Sequence, residues 1–185
     1  MNNFFQINKD AFSSGQIGSK IWLCEELEQT GWNSNFAYIY GGWYGITAFL
    51  LLSRGKFKVN KIRSLDIDPS CEAVADMLNE NWVYQEWKFK ALTQDCNNFQ
   101  GQYGDLIINT STEHFDNKDW FDKIPSGTRV VLQGNNMPHD DHIVHSHSLE
   151  DFVNEYPLAD YVFQGQKEFF YPDWSFTRYM VIGTK

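Results

Sequence analysis

The 185-residue sequence predicts an α/β fold: a mostly parallel, seven-stranded sheet with helices on both faces and an antiparallel C-terminal hairpin. Three observations carry this expectation. Short apolar runs of strand length alternate with stretches of helical period, as in a parallel sheet covered on both faces. Most of these runs end at glycine or at polar residues suited to turns. The last two follow each other with no helical stretch between them, as a hairpin requires.

In chain order, residues 1–18 are expected to form an N-terminal arm. A helix is expected from Ser19, where Ile21, Trp22, Cys24 and Leu27 recur at helical spacing and Gly31 supplies the stop. Residues 36–40 read as a buried strand ending at Gly41-Gly42. Residues 46–53, apolar nearly all round, read as a helix packed on a sheet. A second strand covers 62–67, and Pro69 suits the start of a helix over 70–80. The third and fourth strands are placed at 87–92 and 105–109, the latter strongly apolar in Leu106-Ile107-Ile108. A short helix at 120–124 precedes a fifth strand at 128–133, introduced by Pro125-Ser126-Gly127. A helix at 149–155 capped by Ser148 leads to the closing strands at 159–164 and 178–182. No repeat or linker interrupts this order, so residues 1–185 are expected to form one domain.

The net charge is −9, and the densest basic stretch, Arg54 to Arg63, falls in a connection between expected strands. Phosphate neutralisation needs a basic stripe, so no extended nucleic-acid partner is expected. Three cysteines, odd in number and without a CxxC pair, fit a reducing compartment. No basic segment followed by an apolar run opens the chain, and the longest apolar stretch, 46–52, is too short to cross a bilayer. A cytoplasmic protein without a membrane partner is expected. Aromatic residues make up 17% of the chain, enough to line a pocket as well as a core.

Three strand ends carry residues suited to a nucleoside. Gly41 and Gly42 permit a tight turn and close backbone approach to a ligand. Asp66 lies 25 residues beyond Gly41, close to the ~20-residue spacing of a ribose-binding acid. Asp95 can accept from an adenine amino group while Cys96 packs on the ring. Each also has a plain structural reading, as a turn or a cap. The glycines do not spell GxGxxG, which argues against a bound pyrophosphate and an NAD enzyme.

Tyr38-Ile39-Tyr40-Gly41-Gly42-Trp43-Tyr44-Gly45 resembles the first glycine motif of class I S-adenosylmethionine-dependent methyltransferases, a Rossmann-like family. Ser64-Leu65-Asp66-Ile67-Asp68-Pro69 looks like their second motif, Thr93-Gln94-Asp95 is similar to their adenine-contacting segment, and Gly104-Asp105-Leu106-Ile107-Ile108-Asn109 resembles their fourth motif. The likeness spans about residues 36–131. It implies S-adenosylmethionine as cofactor. Gly41, Gly42 and Trp43 would form the loop under its methionine part, and Asp66 would hold the ribose. Ile67 would pack on adenine, Asp95 and Cys96 would meet its edge, and Asn109 would stand near the reacting methyl. Two departures are plain. Ile39 or Tyr40 stands where an acidic residue is usual, and Trp43 and Tyr44 stand where small residues are usual.

Residues 109–114 form the most polar strand exit. His114 is the candidate base, with Asn109 the other candidate catalytic residue and Glu113 orienting it or binding substrate. Ser111 or Thr112 capping a following helix is the plain alternative. Asn135, at the end of the fifth strand, is a substrate contact or a turn residue. His139, His142, His145 and His147 fall within nine positions, without HExxH spacing or a nearby Cys. No metal ligands are assigned. The segment reads as a polar loop over the pocket, with His142 and His145 meeting substrate.

The sequence therefore points to a methyltransferase acting on a small-molecule or peptide-like acceptor. Specificity is expected from loops, the arm, or a second subunit in a homo-oligomer. A metal-dependent hydrolase or lyase using residues 139–147, and a non-catalytic nucleoside-binding module, are the alternatives.

Overall fold

Every residue of the strand Leu106–Asn109 is buried, so it needs cover on both faces and belongs in the middle of a sheet. In the strand Asp160–Phe170, exposed and half-buried residues alternate, as on an edge with one wet face. A computed structural model, which describes residues 7–99, 104–143 and 146–185, places both accordingly. Its strands are β1 (Asn33–Tyr40), β2 (Lys58–Asp66), β3 (Phe89–Thr93), β4 (Leu106–Asn109), β5 (Arg129–Asn135), β6 (Asp160–Phe170) and β7 (Ser175–Thr184). They form one seven-stranded sheet in the order β3-β2-β1-β4-β5-β7-β6. The first five are parallel, and β7 runs antiparallel between β5 and β6. This is the predicted architecture.

The helices are α1 (Ser14–Gln29), α2 (Ile46–Arg54), α3 (Pro69–Leu78), α4 (Glu80–Val83), α5 (Asp119–Asp122) and α6 (Leu149–Glu155). Alternate strand residues feed two cores. Ile39, Ile62 and Ile108 pack with Leu23, Leu27 and Leu51 from α1 and α2. Tyr40, Leu65 and Ile107 pack with Trp120 and Phe121 from α5, Phe152 from α6 and Tyr156 just past its end.

Several boundaries differ from expectation for identifiable reasons. The arm is shorter than residues 1–18, because α1 begins at Ser14 with Ser13 Oγ accepting the Gln16 amide. Gly15 and Gly18 lower the helical signal there. Both glycines face the β6–β7 hairpin: a Cβ would stand 2.6 Å from Tyr171 Oη at Gly15 and 2.9 Å from the Phe169 ring at Gly18. β3 starts at Phe89 rather than residue 87, since Glu86 and Trp87 have φ of 52° and 58°. The hairpin strands are longer than predicted, joined near Tyr171–Trp174 by rings stacked 4.4 Å apart. Cys24, Cys71 and Cys96 are buried and free. Among the described residues, no helix is long and apolar enough to cross a membrane.

The turn that opens the site is anchored by Asn79. Its Nδ2 donates to the carbonyls of Ala75 (2.9 Å) and Gly45 (3.1 Å), tying the end of α3 to the start of α2. Gly45 has φ +72°, and a Cβ there would lie 2.7 Å from Asn79 Nδ2 and 3.1 Å from Ala75 Cβ. Gly45→Ala is therefore expected to destabilise the chain by about 1–3 kcal/mol, read from urea unfolding. An unchanged midpoint would show that this junction bears no strain.

Candidate functional site

The register levels the strand ends. Tyr40 pairs with Leu65 on one side and Asn109 on the other, and Asp66 pairs with Thr93. The exits of β1, β2, β3 and β4 thus emerge side by side, where strand order reverses between β1 and β4. Such a switch point is where open α/β sheets bind ligands. A hollow of about 1020 Å³ occupies it, at the upper end of the usual range for small-molecule sites.

One half is built on the first three exits. Gly41 turns with φ +60° and abuts Ser111, whose Cβ would lie 3.3 Å from a Cβ added at Gly41. The Gly42 amide donates to the Leu65 carbonyl at 2.9 Å. Ser64 Oγ would stand 1.9 Å from a Gly42 Cβ, so only glycine lets the loop lie this low. Trp43 then adopts φ 46°. Its amide donates to Asp66 Oδ2 at 2.7 Å, while the Asp68 amide donates to Oδ1 at 3.0 Å. Asp68, not Asp66, caps α3. Partial burial raises the Asp66 pKa, against the pull of these two amides. Trp43 stacks on Tyr44 at 5.2 Å and forms wall; the hollow stays open beside it.

Asp95 faces the same hollow and also braces its own turn, accepting from the Asn97 amide at 2.8 Å and Asn98 Nδ2 at 2.6 Å. Cys96 lies beside it, with its thiol pushed up to about 12 by burial. Ile67, 70% exposed, projects from the rim. Gly41, Asp66 and Asp95 therefore converge on a single hollow.

The other half lies across the β4 exit. His114 reaches the surface of the hollow, its Nδ1 bonded to the Asp141 carbonyl at 3.1 Å. Asn109 sits fully buried below the surface, with Oδ1 taken by the Ser111 amide at 2.8 Å. Glu113 turns inward to Asn135 Nδ2 and to Arg178 Nη1, the latter 3.6 Å from Oε1. Neither Glu113 nor Asn135 lines the hollow, whereas Arg178 does. His142 lines it from the loop above, while His145 lies outside the described residues. Tyr171, Trp174 and Phe176 form an aromatic wall from the hairpin.

Arg178, Lys20 and the aromatic wall were not foreseen. Arg178 stands out in retrospect as a charge within an apolar strand, 2% exposed. Lys20 interrupts the apolar stripe of α1, four residues before Cys24. The wall is held by a contact across 156 residues, the Gly15 amide of α1 donating to the Tyr171 hydroxyl at 3.2 Å, which no local pattern reveals.

The chain is similar to the N-methyltransferase NodS from Bradyrhizobium japonicum WM9, with 12% identity, 95% of this chain and 99% of that one covered, and a TM-score of 0.67. It is similar to the same degree (12%, 0.67) to magnesium protoporphyrin IX methyltransferase of Synechocystis PCC 6803, a structure with bound S-adenosylmethionine, over 98% and 85% of the two chains. The YcgJ protein of Bacillus subtilis matches at 13% identity over 89% and 98%, with a TM-score of 0.65. No protein-family profile matches the chain, and no curated protein matches it in sequence. The fold is the Rossmann-like fold of class I methyltransferases.

Lys20 allows a direct test of the polar half. Burial, reinforced by the Arg178 charge and opposed by Glu113 and Asp10, lowers its pKa from 10.5 to about 7. The unfolded chain holds that proton up to the ordinary value, so unfolding takes up a proton between about pH 7 and 10.5. The Lys20 contribution to stability therefore rises with pH, by at most ~1.4 kcal/mol per unit. Lys20→Met removes this slope. Its stability relative to the parent, from urea unfolding at pH 7 to 9.5, is expected to fall as pH rises. A constant difference would show that Lys20 keeps an ordinary pKa.

Proposed function

We propose that this chain is an S-adenosylmethionine-dependent methyltransferase acting on a small-molecule or peptide-like acceptor. The observation that carries the reading is the convergence of the Gly41–Trp43 loop, Asp66, and Asp95 with Cys96 on one hollow at the switch point. The loop at Gly41 and Gly42 takes the methionine part of the cofactor. Each Asp66 oxygen spends one lone pair on a backbone amide and keeps another for a ribose hydroxyl. Ile67 covers adenine, and Asp95 and Cys96 meet its edge.

Methyl transfer is an in-line displacement: the bond from methyl to sulfur breaks as the bond to the acceptor forms. The protein contributes chiefly alignment, plus a base where the acceptor must lose a proton. His114, oriented by the Asp141 carbonyl, is that base. Asn109 is a positioning residue acting from below through the Ser111 amide. Glu113 and Asn135 set the polar end of the acceptor site through Arg178, and His142 meets the acceptor from above; His145, outside the described residues, is the further acceptor contact the sequence proposes. The stacked wall of Tyr171, Trp174 and Phe176 suits an acceptor with a planar or apolar part. Three unpaired cysteines fit a reducing compartment such as the cytoplasm.

Micromolar binding of S-adenosylmethionine is expected by calorimetry. Asp66→Ala should weaken it at least tenfold, matching the loss of a hydrogen-bonded charge, about 1.5–3 kcal/mol. No binding by the parent protein would overturn the reading. The unusual loop, with Trp43 at φ 46°, favours one other reading: a nucleoside-binding module without catalysis. Labelled-methyl transfer to a panel of N- and O-acceptors separates the two.

A further inference from the structure

We infer that Glu113, His114 and His142 form a binding site for a divalent first-row transition cation. One candidate ligand atom from each lies within 4.8 Å of the others. Ligands around such an ion, bound at roughly 2.0–2.2 Å, stand about 3–4 Å apart, so modest side-chain rotation closes the set. Two imidazoles and one carboxylate are a recurrent donor set for Zn2+ and Fe2+, and they leave coordination positions open.

Three features prepare these residues as ligands. His114 Nδ1 faces the Asp141 carbonyl at 3.1 Å, and His142 Nδ1 faces the Met137 carbonyl at 2.7 Å. A carbonyl only accepts, so both Nδ1 atoms carry hydrogen and Nε2 carries the lone pair in each neutral ring. Backbone carbonyls orient metal-binding histidines in this way. His139 has the opposite arrangement: its Nδ1 accepts the Asp141 amide at 3.2 Å, which places its hydrogen on Nε2.

Glu113 supplies the second feature. Its side chain is 4% exposed, and Oε1 is taken by Asn135 and Arg178. Oε2 is buried and has no hydrogen-bond partner among the described residues. A buried carboxylate oxygen left without a partner is costly, and a cation is the partner that suits it best.

The third feature is the tether between the two ligand-bearing segments. The Ile143 amide donates to the Glu113 carbonyl at 2.8 Å. The His114 and His142 rings meet edge to face with centroids 4.8 Å apart. The His loop is therefore held over Glu113 through its backbone. His114 and His142 also line the hollow, so an open coordination position faces it. There the ion takes an oxygen donor, such as a hydroxyl or carboxylate of the acceptor. This last role rests on the methyltransferase reading, whereas the ion site itself does not. With an ion bound, His114 serves as a ligand and no longer as the base.

Titration of the purified 185-residue chain with Co2+ tests the site. One cobalt per chain is expected, with visible d–d absorption reporting imidazole and carboxylate ligation. Glu113→Gln, His114→Ala and His142→Ala should each weaken binding at least tenfold, since even the loss of outer-shell partners costs about 10–100-fold. His139→Ala should leave cobalt affinity unchanged. His114 is exposed, so its variant reads the site even if Glu113→Gln fails to fold. Absence of stoichiometric cobalt, or binding by the His114→Ala and His142→Ala variants as tight as the parent's, overturns the proposal. S-adenosylmethionine binding by the same samples keeps the two readings apart. Cobalt without cofactor binding removes the methyltransferase, and cofactor without cobalt binding removes the metal site.

Discussion

The Asp66 carboxylate accepts the amides of Trp43 and Asp68, and the two loops bounding the hollow take their positions from those bonds. A left-handed conformation at a tryptophan costs on the order of 1–3 kcal/mol, and it persists only where surrounding bonds impose it. Here the imposing group is an acid at the end of β2. Hydrogen bonds to an ionised acceptor are among the stronger ones, which offsets the burial that raises the Asp66 pKa. The level register of Tyr40 with Leu65 and Asn109 makes the clamp possible, because a slip of one residue would turn Asp66 to the opposite face.

Across the hollow, the constraint is a set of buried ionisable groups: the Glu113–Arg178 pair with Lys20 beside it. Glu113, Arg178 and Lys20 are each less than a tenth exposed. Buried ion pairs add little net stability, yet losing one partner is expensive, so such sets specify one arrangement more than they strengthen it. This set fixes where the β4 exit, α1 and the β6–β7 hairpin meet. The aromatic wall completes that side, with the glycines of α1 admitting the hairpin tip. The hollow thus has one end shaped by backbone turns and single acids, and another shaped by rings, imidazoles and a guanidinium.

Not every residue that shapes the sequence pattern belongs to the site. Gly104 and Asp105 are part of the fourth resembling motif, but they stand at the opposite end of β4 from the hollow. Asp105 accepts from Ser34 Oγ at 2.5 Å, from the Asn35 and Phe36 amides, and from Arg129, fastening the starts of β1, β4 and β5. A Cβ at Gly104 would lie 2.1 Å from the Phe36 carbonyl. Their role is to set the register whose other end levels the exits at Tyr40 and Asn109. Asn109 likewise acts on the site from below, with its Nδ2 left without a partner among the described residues.

Strand alternation, helical period and turn chemistry are properties of neighbouring residues, so the order of elements and the hairpin were legible in the sequence. So were Gly41, Asp66 and Asp95, because each terminates a periodic run and needs only its immediate neighbours to be recognised. The start of α1 was hidden because Gly15 and Gly18 are chosen for a contact with Tyr171 and Phe169, more than 150 residues away. The same holds for Arg178 and Lys20, whose surroundings come from β7 and α1 folding onto the β4 exit. Which histidines face Glu113 likewise depends on backbone bonds from Asp141, Met137 and Ile143, not on spacing. The sequence by itself determined the sheet and the strand-end residues. Only the tertiary structure decided which of them share a hollow, because that depends on register and on long-range packing between segments.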